Sequence, residues 1–161
     1  MARKIGFSSA TLTVKLTESL TIDGRDYGGV SSWTHSGISN ITRRLETITS
    51  TEATIVSFGA AIGAGTYIPA EVKYMRFSNL DDTNFITLTF ANEDDDEVAI
   101  KLDAGQSIVW NGDNSGGMVD VMNAIAAGDA ASDTALGDLK SIQADANTAS
   151  CDMEIYIAEI A

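Results

Sequence analysis

The sequence predicts an all-β fold, a β-sandwich of jelly-roll type. Three observations carry that reading. Apolar and polar residues alternate with period two along several segments, the mark of a strand with one buried face. Turn formers separate about eight or nine such segments, as in sandwiches and jelly rolls. No repeat of roughly 20–50 residues runs through the chain, which sets solenoids and propellers aside. The 161 residues make one domain by length, 1–161, with residues 1–9 as an N-terminal arm.

The first strand is the clearest. Ala10, Leu12, Val14 and Leu16 alternate with Thr11, Thr13, Lys15 and Thr17, and Leu20 and Ile22 continue the apolar face of a half-buried strand. Asp23 and Gly24 mark a turn, and Gly28 and Gly29 open a polar loop through Trp33, His35 and Gly37. Strands follow at 41–49, 54–58 and 73–78, and residues 79–84 are dense in turn formers. Ile86, Leu88 and Phe90 then pair with Val98, Ile100 and Leu102 in a hairpin whose tip is the acidic run 92–97. Ala104 and Gly105 turn the chain into a short strand at 107–110, and a glycine-rich loop covers 111–117.

Met118, Val121, Met122 and Ile125 fall at i, i+3, i+4 and i+7, which predicts one short helix near 118–127. A surface loop rich in Ala and Asp, 128–138, precedes two last strands at 139–144 and 153–160. The final strand is apolar on both faces, as expected of a central or interface strand.

Ten Lys and Arg stand against 23 Asp and Glu, a net charge of −13. Binding to a phosphate backbone rests on Lys and Arg, so nucleic acid is not an expected partner. The basic pairs Arg3 with Lys4 and Arg43 with Arg44 make no stripe. The longest weakly polar stretch, 55–68, is broken by Gly59, Gly63 and Gly65 and is too short to span a bilayer, so no membrane contact is expected. Residues 1–9 lack the apolar core of a signal peptide. The single cysteine, Cys151, excludes an intramolecular disulfide framework.

No constellation of catalytic residues emerges. The string GDNSGG at 112–117, with His35 upstream, superficially matches the nucleophile loop of trypsin-like proteases. Asn114, inserted between Asp113 and Ser115, would displace the oxyanion-hole amide. His35 is the sole histidine, so a metal site or triad would need unusual partners, and a loop histidine is the simpler reading. Cys151 has no basic neighbour in sequence to activate it and reads as a small buried residue. The acidic run 92–97 lacks the spacing of a calcium loop and reads as a solvated hairpin tip. Tyr27, Trp33 and Trp110 are the residues from which a sugar-stacking platform could be built. The chain is therefore expected to be no enzyme and to hold no cofactor and no metal.

The strings KYMRFSNLDDTN at 73–84, FITLTF at 85–90, VAIKLDAGQSI at 98–108 and MEIYIAE at 153–159 resemble small virion structural proteins of tailed bacteriophages, particularly phages of aquatic bacteria. The resemblance implies a β-sandwich assembled in several copies on a virus particle, without enzymatic activity, and it carries over no functional residue. The expectation is an oligomeric capsid decoration (cement) protein, made in the bacterial cytoplasm and found in the virion. It would contact copies of itself, as a trimer, and a major capsid or tail protein. A tail or baseplate component and a glycan-binding module are the alternatives. Arg3, Lys4, Ile5 and Phe7 of the N-terminal arm are the candidate inter-subunit contacts, two cations for an acidic neighbour and two apolar side chains for a pocket; the alternative is that the arm pairs as an edge strand of its own domain.

Overall fold

The computed structural model describes residues 8–61, 63, 65–112, 116–125, 129 and 136–160. The described residues form twelve strands: β1 (Ala10–Glu18), β2 (Thr21–Ile22), β3 (Arg25–Asp26), β4 (Gly29–Ile48), β5 (Ala53–Phe58), β6 (Thr66–Tyr67), β7 (Val72–Asn79), β8 (Ile86–Asn92), β9 (Glu97–Leu102), β10 (Ser107–Asn111), β11 (Leu139–Ala146) and β12 (Cys151–Ile160). A 3-10 turn, Pro69–Glu71, leads into β7.

Two five-stranded sheets carry the fold. One runs β1-β4-β12-β7-β10 and the other β6-β5-β11-β8-β9. Set β1 and the two-residue β6 aside, and four strands, β4-β12-β7-β10, face four, β5-β11-β8-β9. The chain crosses from one sheet to the other at each step along these eight strands, except at the β8–β9 hairpin. This double-sheet arrangement is that of a jelly roll, so the predicted all-β sandwich is the observed architecture.

Alternation decides what enters the core. Met153, Ile155 and Ile157 of β12, with Met75 and Phe77 of β7, point between the sheets, where they meet Ile86, Leu88 and Phe90 of β8 and Ile142 of β11. Phe90 sits edge-on to Phe77, with ring centroids 6.4 Å apart, and to Trp110 at 5.1 Å. Full burial of each such side chain is worth about 1.5–3 kcal/mol. β12 is the central strand of its sheet, with β4 on one side and β7 on the other. Its second apolar face is thereby explained: Tyr156 and Ala158 lie on the outer side of the sheet, in a smaller cluster with Ile38 and Tyr74.

Three expectations are corrected. The segment at 118–125 is not a helix. Its backbone is bonded to other segments: Met118 N–H donates to Pro69 O, Val121 and Met122 N–H to Gly137 O, and Leu139 N–H to Met118 O. Asp120 has a left-handed φ of 52°, which also interrupts a helix. The helical spacing arose because Met118 and Met122 are both buried, by bonding to distant segments rather than by sharing a helix face. The polar loop through Trp33 and His35 is instead the first half of β4, a strand of 20 residues. Its Thr, Ser and Val residues suit a strand whose partner is β1. Finally, β1 is half-buried only at Leu12 and Val14. Of the glycine-rich loop, Asn111 ends β10 and Gly112, Gly116 and Gly117 are described, whereas 113–115 and most of 128–138 lie outside the described residues.

Candidate interaction surface

The most distinctive feature is a β-ribbon made by residues 12–35. Leu12 pairs with His35, Val14 with Trp33, Glu18 with Gly29 and Ile22 with Arg25, in one unbroken antiparallel register. Tyr27 N–H donates to Leu20 O at 2.7 Å and continues the ladder between those segments. Asp23 and Gly24 close it, with φ of 50° and 76°. Two successive positive φ values are those of a two-residue type I′ turn, which Asp-Gly favours because glycine takes φ > 0 without steric cost.

β4 changes partner at Ile38. Its first half pairs with β1 and its second half with β12, and both ladders carry a register shift there. Gly37 beside it has φ 80°. Irregularities of this kind bend a strand. The base of the ribbon accordingly folds against the outer face of the sandwich sheet, where Leu12 and Val14 pack on the cluster of Ile38, Tyr74 and Ala158, with Tyr156 and Ile160 at its border. His35 is 6% exposed; its Nε2 lies 3.2 Å from Asn111 Oδ1 on β10, and its ring is tilted against Tyr74. It is a strand residue that fastens the ribbon to the far side of the sheet.

Beyond that base the ribbon leaves its own domain. From residue 15 to residue 32, Trp33 excluded, every residue is exposed except the partly covered Gly28. Alternate residues share a face, so Leu12, Val14, Leu16, Glu18, Leu20 and Ile22 line one side, with Arg25, Tyr27 and Trp33 opposite them. The reverse side carries Thr13, Lys15, Thr17, Ser32 and Thr34. Leu16, Leu20, Ile22 and Tyr27 are each at least half exposed. An isolated two-stranded hairpin is marginal in water, and this one carries its apolar stripe past the sheet that covers its base.

The outer face of the sheet is charged in the middle and apolar at the β4 edge. Glu154 joins Arg43 and Arg76. Hydrogen bonds from Arg43 and then Arg76 hold its carboxyl below the ordinary carboxylate range. Arg76 also lies 5.9 Å from the centroid of the Tyr156 ring. Burial pushes the Tyr74 hydroxyl upward, against the opposing pull of Arg76. Ile41 and Leu45 flank Arg43 on the outer side of β4, both more than half exposed.

The residues singled out for chemistry are not brought together. Trp110 packs inward on Phe90, Trp33 sits on the ribbon opposite Val14, and Tyr27 is near the ribbon tip, so no shared stacking platform forms. Cys151 is buried at the start of β12, where burial, then Asp81 and Asp152, raises its thiol pKa. The acidic tip is ordered by the buried Asn92. Its Oδ1 accepts from Asp94 and Asp96 N–H at 3.0 and 2.8 Å, and its Nδ2 donates to Met122 O. Lys140 pairs with Asp95 at the same tip. Among the described residues no group of His, Cys, Asp and Glu is arranged to hold a metal ion. Arg3, Lys4, Ile5 and Phe7, and likewise Asp113, Asn114 and Ser115, lie outside the described residues. No helix among the described residues is long and apolar enough to cross a membrane.

Sequence reasoning misses the ribbon because its second strand is rich in Ser, Thr and Gly. The signal that could have found it is the Asp23-Gly24 turn, centred between Leu20-Thr-Ile22 and the segment that begins at Arg25. The sequence matches no model of a known protein family and no curated protein.

Proposed function

We propose that the protein is a structural subunit of a tailed-bacteriophage particle, an oligomeric capsid decoration protein that contacts copies of itself and a major capsid protein. The observation that carries this reading is the ribbon, whose apolar face continues beyond the surface that the described residues provide for it. Monomeric proteins keep contiguous apolar surface small, and larger exposed stretches mark sites of association. The jelly-roll topology supports the reading, since capsid proteins commonly use it. So does the acidic charge, which suits a protein on the outside of a particle better than one lining packaged nucleic acid. The resemblance of 73–108 and 153–159 to phage structural proteins points the same way. A tail component is the second reading, since the exposed apolar ribbon supports association without favouring head over tail.

Native mass spectrometry of the purified chain tests the self-association. A discrete oligomer, a trimer in the first instance, is the expected result, and a monomer at all micromolar concentrations overturns it. Antibody labelling of particles purified from the producing cells tests the location. Label on heads supports decoration, label on tails replaces it with the second reading, and unlabelled particles overturn the virion assignment.

A further inference from the structure

We propose that the ribbon of one copy lies on the outer sheet face of a second copy, with Leu16, Glu18 and Leu20 laid along Ile41, Arg43 and Leu45. This rests on the reading of the protein as a self-assembling subunit and names the two surfaces involved.

The first argument is continuity. The base of the ribbon already shows what its apolar face packs on, the outer side of this same sheet. Leu16, Leu20 and Ile22 extend that face and are each at least half exposed among the described residues. On the sheet, Ile41 and Leu45 extend the outer surface and are equally uncovered. The chain's own ribbon is committed in the other direction, toward Tyr74 on β7 and Asn111 on β10, so it does not cover this face, and the surface is open to a second copy.

The second argument is complementarity. Leu16, Glu18 and Leu20 present apolar, negative and apolar groups at alternate positions along one side of the ribbon. Ile41, Arg43 and Leu45 present apolar, positive and apolar groups at the same spacing. Steps of two residues are about 6.7 Å in both strands, so the two triplets match in register. Arg43 binds Glu154 through Nε and Nη2, yet its side chain is 68% exposed and has room for a second carboxylate. Such pairing matters in a chain of net charge −13, where copies otherwise repel.

The third argument is size. Eight residue pairs, 15–22 with 25–32, make a ribbon about 27 Å long. Two strands about 4.8 Å apart give it a face on the order of 270 Å² a side, so one contact is small and equivalent contacts repeated around the assembly supply the rest. The two surfaces are different patches of the molecule. Such a contact either is exchanged reciprocally in a two-fold dimer or runs head-to-tail, where a rotation that closes gives a ring such as a trimer.

Mixed-cysteine crosslinking tests it. Cys151 is buried and is the only native cysteine, so single introduced thiols report cleanly. Copies carrying Leu20→Cys are mixed with copies carrying Leu45→Cys, or with copies carrying Val109→Cys on β10, and oxidised. Each variant is checked for parental circular dichroism, and native mass is measured on the same samples. The expected result is a Leu20→Cys to Leu45→Cys adduct at least tenfold more abundant than the Val109→Cys adduct. Glu18→Lys is expected to weaken self-association at least tenfold at low salt. Oligomers that form without the Leu45→Cys adduct overturn this docking while leaving self-assembly standing. A monomeric parent overturns both.

Discussion

Asn40 Nδ2 donates to Glu159 Oε2 at 2.7 Å, across the ladder that joins β4 to β12. Glu159 is buried, and burial raises its carboxyl pKa; the bond from Asn40 offsets part of this and the nearby Glu71 adds to it. The folded chain thus holds this proton more tightly than the unfolded one. The stability it contributes is full below the ordinary carboxylate pKa and is lost as pH rises through the raised value. Glu159→Gln keeps an acceptor for Asn40 and removes the titration. It should melt several degrees above the parent at pH 7–8, with the gap closing toward pH 4. Thermal scans at both pH values decide it, and equal shifts at both would reject the assignment.

Glu154 has the opposite sign. Its carboxyl is held low by Arg43 and Arg76, so its contribution is present above the ordinary carboxylate pKa and fades as pH falls through the lowered value. Because Arg43 is largely exposed, Glu154→Gln should cost only about 0.5–1 kcal/mol at neutral pH. Urea midpoints of parent and variant should converge on acidification and, at neutral pH, on adding salt.

Met118 is fully buried in the core although its segment has no regular structure, whereas Ile125 is half exposed. Met118→Ala should cost about 2–5 kcal/mol. Ile125→Ala should stay within about 0.5 kcal/mol. A helix at 118–127 would bury both residues on one face, so similar losses for the two variants would restore the helical reading.

Gly117 has φ 62°, and a β-carbon there would lie 2.5 Å from Pro69 O and 2.7 Å from Ala70 O. Gly112 is as crowded, with Val72 O at 2.7 Å. Gly117→Ala should lower the yield of folded protein sharply or cost more than about 2 kcal/mol. Gly105→Ala, with positive φ but open space around it, should cost only about 1 kcal/mol. The glycine-rich string is thus explained by close backbone approach. A Gly117→Ala protein as stable as the parent would contradict that explanation.

Much of the sandwich was legible because its strands alternate. Ile86, Leu88 and Phe90 opposite Val98, Ile100 and Leu102 form the observed β8–β9 hairpin, and the two-sided apolar character of 153–160 marked a central strand. The ribbon was less legible. Alternation in 10–22 reports a strand but does not say whether its apolar side meets its own domain, and only Leu12 and Val14 do. The run from Gly29 to Gly37 has few apolar residues to alternate, since its strand character comes from pairing with β1. Helical spacing in 118–125 misled because long-range backbone partners, invisible in sequence, took the hydrogen bonds a helix would have used.

The central position of β12 has a consequence for biogenesis. Its ladders tie Cys151 to Ile48 and Glu154 to Ser78, and it is translated after both neighbours. While the nascent chain emerges, β4 and β7 therefore wait on the ribosome as two unsatisfied edges, and the sheet closes only when its middle arrives. Contacts this distant in sequence make folding slow, and waiting edges invite pairing with other nascent chains. The β8–β9 hairpin and the Asp23-Gly24 ribbon, by contrast, can zip as soon as they leave the exit tunnel. Completion of this sheet is consequently gated by the delivery of the ten-residue strand β12.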